Sequence, residues 1–198
     1  MTQKIASTDH PIHELLAKRW SPYSFDERTV ASADLCSLFE AARWAPSSYN
    51  EQPWRWIIAT AEDPAEHARL LSCLVDLNQA WARRAPVLGL GVASLHFERN
   101  GRDNPAALHD LGLGAGNISH EVTARGLHVH WMIGILPERA RELYAIPDGF
   151  QPLTGFAIGY LGDLDAADEK LRARDLTPRT RKPLAELVFR GRWGQPAL

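Results

Sequence analysis

The chain has 198 residues, 45% of them apolar and 23% charged, which suits one globular domain with room for a core and excludes a disordered chain. Its formal net charge of −2 offers no field to draw nucleic acid or an acidic membrane, so any phosphate binding has to come from a local basic group. Cys36 and Cys73 lack metal-type spacing and read as packed thiols, no signal-peptide core opens the chain, and the longest apolar run (87–95) is too short to span a bilayer, so a soluble, cytoplasmic protein is expected.

Leu15 and Leu16 lie in a short basic helix that should stop before Ser21-Pro22, because the residue before a proline avoids the α region. Leu35, Leu38, Phe39 and Ala42 fall at i, i+3, i+4 and i+7 and predict a helix with Ser32 as N-cap and Pro46 as its stop. Residues 46–53, PSSYNEQP, are a polar loop, and 54–60 read as a strand. A helix from about Pro64 carries Leu70, Leu74, Leu77 and Trp81 on one stripe until Pro86 breaks it. Residues 87–94 suit a buried strand, and 96–105 form a polar, turn-rich surface loop.

The longest helix carries Leu108, Leu111, Ala115, Ile118 and Val122 and ends at Gly126. A strand over 127–132, a short helix over 137–145 and a central strand over 153–161 follow. Residues 163–178 read as charged and irregular, and Leu184, Leu187 and Val188 mark a last short helix. Helices and strands interleave without repeats or a linker. The expectation is a single α+β domain over residues 1–198, a small sheet flanked by helices.

Gly112, Gly114 and Gly116 lie inside the longest helix, where each costs roughly 1 kcal/mol relative to alanine. Gly112 and Gly116 share a face, and a closely packed helix, of this subunit or the same helix of a second one, would compensate. The rival reading, a phosphate-cradling loop, needs a strand before the glycines and a helix start after them. His128-x-His130 could bind a metal from one strand face, but nothing in a recognisable spacing completes such a site, and plain packing is the simpler reading.

Two segments carry chemistry. In residues 19–25, RWSPYSF, Arg19 and Ser21 stand two apart in an extended stretch and point the same way, so they could hold a phosphate, with Trp20 and Tyr23 alongside. Taken alone, a surface arginine beside a turn is the plainer reading. In the loop 46–53, hydroxyls and carboxamides present donors and acceptors together, which suits a heteroaromatic edge; a polar surface turn is the alternative.

Read together, R-x-S-x-x-x-F and then E-A-A-R-W-A-P-S-S-x-N-x-Q-P-W resemble the N-terminal signature of the nitroreductase family. Gly126-Leu127 with 130–134 (HWMIG), 155–162 (GFAIGYLG) and Arg179-x-Arg181-Lys182-Pro183-Leu184 are similar to later family segments, in the same order. The resemblance implies a mostly antiparallel nitroreductase-like sandwich, homodimeric, with FMN at the interface and parts of each site from both subunits. It implies FMN phosphate and ribityl contacts at Arg19 and Ser21, and further phosphate contacts at Arg179 and Arg181. Pro46, Ser47, Ser48 and Asn50 would line the flavin edge, Ile133 and Gly134 would bring backbone to the flavin's N5 and O4, and Trp131 would pack on the ring face; Trp20 and Tyr23 are carried as neighbouring contacts.

The implied activity is hydride transfer from NADH or NADPH through the flavin to a small electron-poor acceptor such as a nitroaromatic or quinone. That chemistry belongs to the cofactor, so no catalytic side chain and no metal ligand is assigned. A flavin-binding protein without turnover, serving as sensor or store, and a cofactor-free dimeric interaction protein are the alternatives.

One position departs from the family, which usually has Arg or Lys where this chain has Tyr23. A neutral phenol stabilises an anionic reduced ring less than a cation does, so the resemblance implies a lower flavin reduction potential. Tyr23→Lys should raise the potential measured by anaerobic dye equilibration; a potential that does not rise removes the argument.

Overall fold

A computed structural model describes residues 4–198; Met1, Thr2 and Gln3 lie outside the described residues, and with them the start of the segment read for a signal peptide. Four strands form one sheet in the order β1 (Trp54–Thr60), β2 (Val87–Ser94), β4 (Phe150–Gly159), β3 (His128–Met132), with every neighbouring pair antiparallel. Seven helices are described: α1 (Glu14–Lys18), α2 (Ser32–Arg43), α3 (Pro64–Leu71), α4 (Asp76–Ala82), α5 (Ala107–Ala124), α6 (Pro137–Tyr144) and α7 (Glu169–Leu176). No described helix is long and apolar enough to cross a membrane.

The sheet is covered on both faces, and alternation along its strands sorts side chains between two cores. Leu88, Leu90 and Met132 join Leu70, Leu74 and Trp81 beneath α3, α4 and α6. Val87, Val129, Phe156 and Ile158 meet Leu38 of α2 with Ile118 and Val122 of α5 on the opposite face. β2 is buried at all eight positions, as its unbroken apolar run predicts.

On the α5 face β2 is bare at Gly89 and Gly91. The Phe156 ring lies where a Cβ at Gly89 would be, and the side chains of Trp56 and Thr154 crowd Gly91, each 2.9 Å from where its Cβ would be. Two tryptophans from opposite edge strands, Trp56 and Trp131, thus meet over the middle of the sheet with ring centroids 6.0 Å apart. In α5, Gly114 packs on Trp54 and Trp56, whereas nothing in this chain lies within 4 Å of a Cβ at Gly112 or Gly116.

The structure corrects four readings of the elements. The segment from Pro64 is two helices rather than one. The helix closes at Ser72, Leu74 forms an antiparallel bridge with Ile135, and Leu77 is 80% exposed instead of lying on a buried stripe. Ser32 is the first helical residue; Ala31 occupies the cap position without a side-chain bond. The charged stretch 163–178 contains α7, capped by Asp168, whose carboxylate accepts from the Lys170 N–H at 2.9 Å. The last helix is only a 3-10 turn, Leu184–Glu186.

Gly89→Ala should lower stability by about 3 kcal/mol, because overfilling a packed core displaces an aromatic ring that has nowhere to go. The midpoint of urea unfolding measures this; an unchanged midpoint would show that Phe156 relaxes freely.

Candidate functional site

Three arginines from opposite ends of the chain converge in one recess of about 560 Å3, flanked by Leu16, Lys182 and Leu184. Arg19 stands at the C-cap of α1 with extended backbone, and its Nη1 donates to Ser21 Oγ at 3.2 Å. Arg179 follows α7 and donates from Nη1 to the carbonyls of Ala17 at 2.6 Å and Lys4 at 3.0 Å. Arg181 is exposed and donates to the Thr180 carbonyl.

None of the three forms an ion pair among the described residues. Burial, and then the Arg179 and Arg181 charges, push the Arg19 pKa below the usual arginine range; burial and Arg181 do the same to Arg179. Asp9 also lines the recess but pairs with none of them. Unpaired guanidiniums that repel one another make a site complementary to an anion, and planar forks suit phosphate oxygens.

The loop 46–53 is built around left-handed backbone. Tyr49, Asn50 and Gln52 have φ of 54°, 58° and 52°, a conformation costing of order 1 kcal/mol or more for each non-glycine residue. The fold compensates with hydrogen bonds: Gln52 N–H donates to Ser47 Oγ at 3.0 Å, and Ser48 N–H donates to Asp110 Oδ2 at 2.8 Å. Asp110 is 2% exposed in the first turn of α5, where a carboxylate also complements the helix dipole. Pro46, Tyr49 and Asn50 remain exposed, and Ser47 and Ser48 half-buried.

After β3 the chain turns through Ile133, which is 76% exposed, and Gly134. The Gly134 carbonyl accepts from Val75 N–H at 3.1 Å and from Asn78 Nδ2 at 2.9 Å. A Cβ on Gly134 would lie 2.6 Å from Asn78 Nδ2, so only glycine permits this approach of α4.

The expected aromatic contacts are engaged within the chain. Trp131 donates Nε1–H to Ser119 Oγ at 2.9 Å and packs on Phe156, which places it on the α5 side of the sheet. Trp20 is buried, edge-on to His128, with Lys4 Nζ 4.9 Å from its ring centroid. Tyr23 lies between Trp81 and His130, and the Arg174 guanidinium stands 5.0 Å from its ring centroid.

One chain therefore assembles Arg19, Ser21, Arg179 and Arg181, but not the whole set. The 46–53 loop leads into β1 and residues 133–134 leave β3, the opposite edge of the sheet. Three inter-strand spacings, about 14 Å in all, separate those edges. Asp110 and Asn78, which fix these two segments, escaped sequence reasoning. A carboxylate in the first turn of an apolar helix was the one available hint for Asp110.

The nitroreductase family model matches residues 16–160. The chain belongs to the nitroreductase family. A 15.4 kDa protein of Mycolicibacterium smegmatis is 34% identical over 141 residues, covering 69% of this chain and 92% of that protein. The major NAD(P)H-flavin oxidoreductase of Aliivibrio fischeri is 23% identical, covering 90% and 98%. A solved structure described as an oxidoreductase containing FMN superposes with a TM-score of 0.90 at 32% identity, covering 97% of this nitroreductase-family chain and 98% of its own.

His128 and His130 stand on β3 behind the recess. Burial is the largest influence on both and lowers their pKa; the carbonyl of Trp20 for His128, and that of Pro22 for His130, oppose it. Unfolded histidines titrate near about 6.5, so the unfolded chain takes up these protons first as pH falls. Stability is complete above that value and is lost as pH drops through it toward the depressed folded values. Melting temperature should therefore fall between about pH 7.5 and about pH 5.5, and less steeply in a His128→Gln/His130→Gln variant. Parallel profiles for the two proteins would contradict this.

Proposed function

We propose that this chain is an FMN-dependent oxidoreductase that carries hydride from NADH or NADPH to a small electron-poor acceptor such as a nitroaromatic or quinone, acting as a cytoplasmic homodimer of one domain per 198-residue chain. The observation that carries the reading is the recess of Arg19, Arg179 and Arg181, three mutually repelling guanidiniums none of which forms an ion pair among the described residues, although Asp9 also lines the recess. A phosphate monoester fits that donor set in charge and in hydrogen-bonding geometry. The FMN-containing structure, similar over nearly the whole chain, supports the same cofactor.

Bound FMN would accept hydride from the nicotinamide and pass it on to the acceptor. The chain's own part is to hold and shape. Arg19, Ser21, Arg179 and Arg181 would grip the phosphate tail, and the Ile133-Gly134 backbone would approach the ring. The exposed side chain of Ile133, with Leu77 and Leu136 also exposed, offers an apolar mouth that suits a flat aromatic acceptor.

Because Ser47, Ser48 and Asn50 stand at the far edge of the sheet, they would serve the flavin of a second copy. A two-fold dimer brings one copy's 46–53 loop to the other's β3 edge. The open space over Gly112 and Gly116 supports close approach of a partner along α5. One shared pocket for donor and acceptor implies alternation and therefore ping-pong kinetics.

Purified protein should be yellow, bleach under anaerobic NADH or NADPH, and regain colour on addition of a nitroaromatic or quinone. Arg19→Ala/Arg181→Ala should weaken FMN binding at least about 100-fold, since each charge-assisted contact contributes about 1.5–3 kcal/mol. Colourless protein that does not take up FMN, or an affinity indifferent to both substitutions, would sink the reading.

A further inference from the structure

α7 carries five charged residues in eight, Leu171 is only partly buried against the core, and its one fully buried residue is a carboxylate. Asp175, 2% exposed, accepts the Tyr23 N–H on Oδ1 at 2.8 Å and the Ser24 N–H on Oδ2 at 2.9 Å. Its backbone carbonyl accepts from Lys4 Nζ at 2.6 Å. A second tie lies four residues on, where Arg179 donates to the carbonyls of Ala17 and Lys4.

The two ties form a brace. Residue 175 is fixed to 23 and 24, and residue 179 to 17. Arg19 and Ser21 lie between the tied positions of one segment, and Arg179 and Arg181 at and just beyond those of the other. An apolar anchor would hold α7 near the sheet without fixing its register. Two carboxylate oxygens on successive backbone N–H groups fix direction and distance together. That matters here because the arginines repel one another and would otherwise separate.

We propose that Asp175 is the positioning residue of the phosphate clamp: it touches no flavin atom, but holds Arg179 and Arg181 opposite Arg19 and Ser21. The proposal rests on the reading of the recess as the FMN phosphate site. It distinguishes Asp175 from an ordinary buried anchor, because loss of the brace should affect the phosphate end of the ligand far more than the ring end, to which only the Tyr23 backbone is tied.

The test compares FMN with riboflavin, which has the same ring and ribityl chain but no phosphate, by titrating apoprotein and following flavin fluorescence. In Asp175→Asn one oxygen is replaced by an amide that cannot accept from the facing N–H. The FMN dissociation constant should rise at least about tenfold while that of riboflavin stays within about twofold, and the apoprotein should still melt cooperatively. Lys4→Met removes the ammonium hydrogen bond to the Asp175 carbonyl, a contact additional to the two ties, and should reduce the preference for FMN about threefold.

Equal weakening of both flavins by Asp175→Asn would make the residue a general structural anchor and overturn the proposal. So would an unchanged preference in either variant, and Lys4→Met decides alone if Asp175→Asn fails to fold. A wild-type protein that binds the two flavins equally removes the phosphate reading itself, a result distinct from failure of the brace.

Discussion

The arrangement depends on one electrostatic constraint: three guanidiniums are held together with no ion pair to any of them among the described residues. Folding against that repulsion has a cost, visible in the depressed pKa of Arg19 and of Arg179. The fold meets it with backbone carbonyls, which tie Arg179 to residues 4 and 17, and with a buried carboxylate one helical turn earlier. Neither device neutralises the cluster. Had Asp175 pointed into the recess instead of at the amides of residues 23 and 24, it would have filled the place of the anion. Satisfying the carboxylate with backbone N–H groups keeps the guanidiniums available.

A similar division of labour holds at the other end of the sheet. The strained 46–53 loop is stabilised from behind by Asp110, so Asn50 and Tyr49 remain exposed on its outer side, where Tyr49 packs edge-on to Phe97 under the Arg99 guanidinium. Gly134 is stabilised from behind by Asn78 and Val75, leaving Ile133 exposed. Each segment is rigid on its inner side and open on its outer side, as preorganised binding groups have to be. The glycines of β2 contribute by letting Trp56, Phe156 and Trp131 fill the space over the sheet.

What the sequence made legible follows from the range of the forces involved. β1 and β2 were read at residues 54–60 and 87–94, the limits they have in the structure: β2 because burial on both faces leaves a continuous apolar run, and β1, an only partly buried edge strand, because prolines and turn residues bound its β-branched and aromatic residues. The arginines were singled out through the family motifs that contain them, since residue type alone left Arg19 as a surface arginine beside a turn. α7 was not, since a helix with one buried residue, an aspartate, shows no apolar period. The break between α3 and α4 was hidden because Leu74 and Leu77 keep helical spacing, while the bridge from Leu74 to Ile135 depends on a partner 61 positions away. Asp110, Asn78 and Asp175 act on backbone 62, 56 and about 150 residues distant, and no local pattern reports such contacts.

These three residues share a chemistry. Each uses a short polar side chain to bind the main chain of a remote segment, and each of those segments holds groups assigned here to the cofactor. Substituting any of them leaves the proposed ligand contacts untouched in sequence and alters only where those contacts stand. The family signature therefore describes the groups that would meet the flavin, whereas their spacing is set by residues outside it. A chain could keep R-x-S, P-S-S-x-N and the basic C-terminal motif and still lose the site if Asp110, Asn78 or Asp175 were replaced, because a site for a charged ligand is a set of distances before it is a set of residue types.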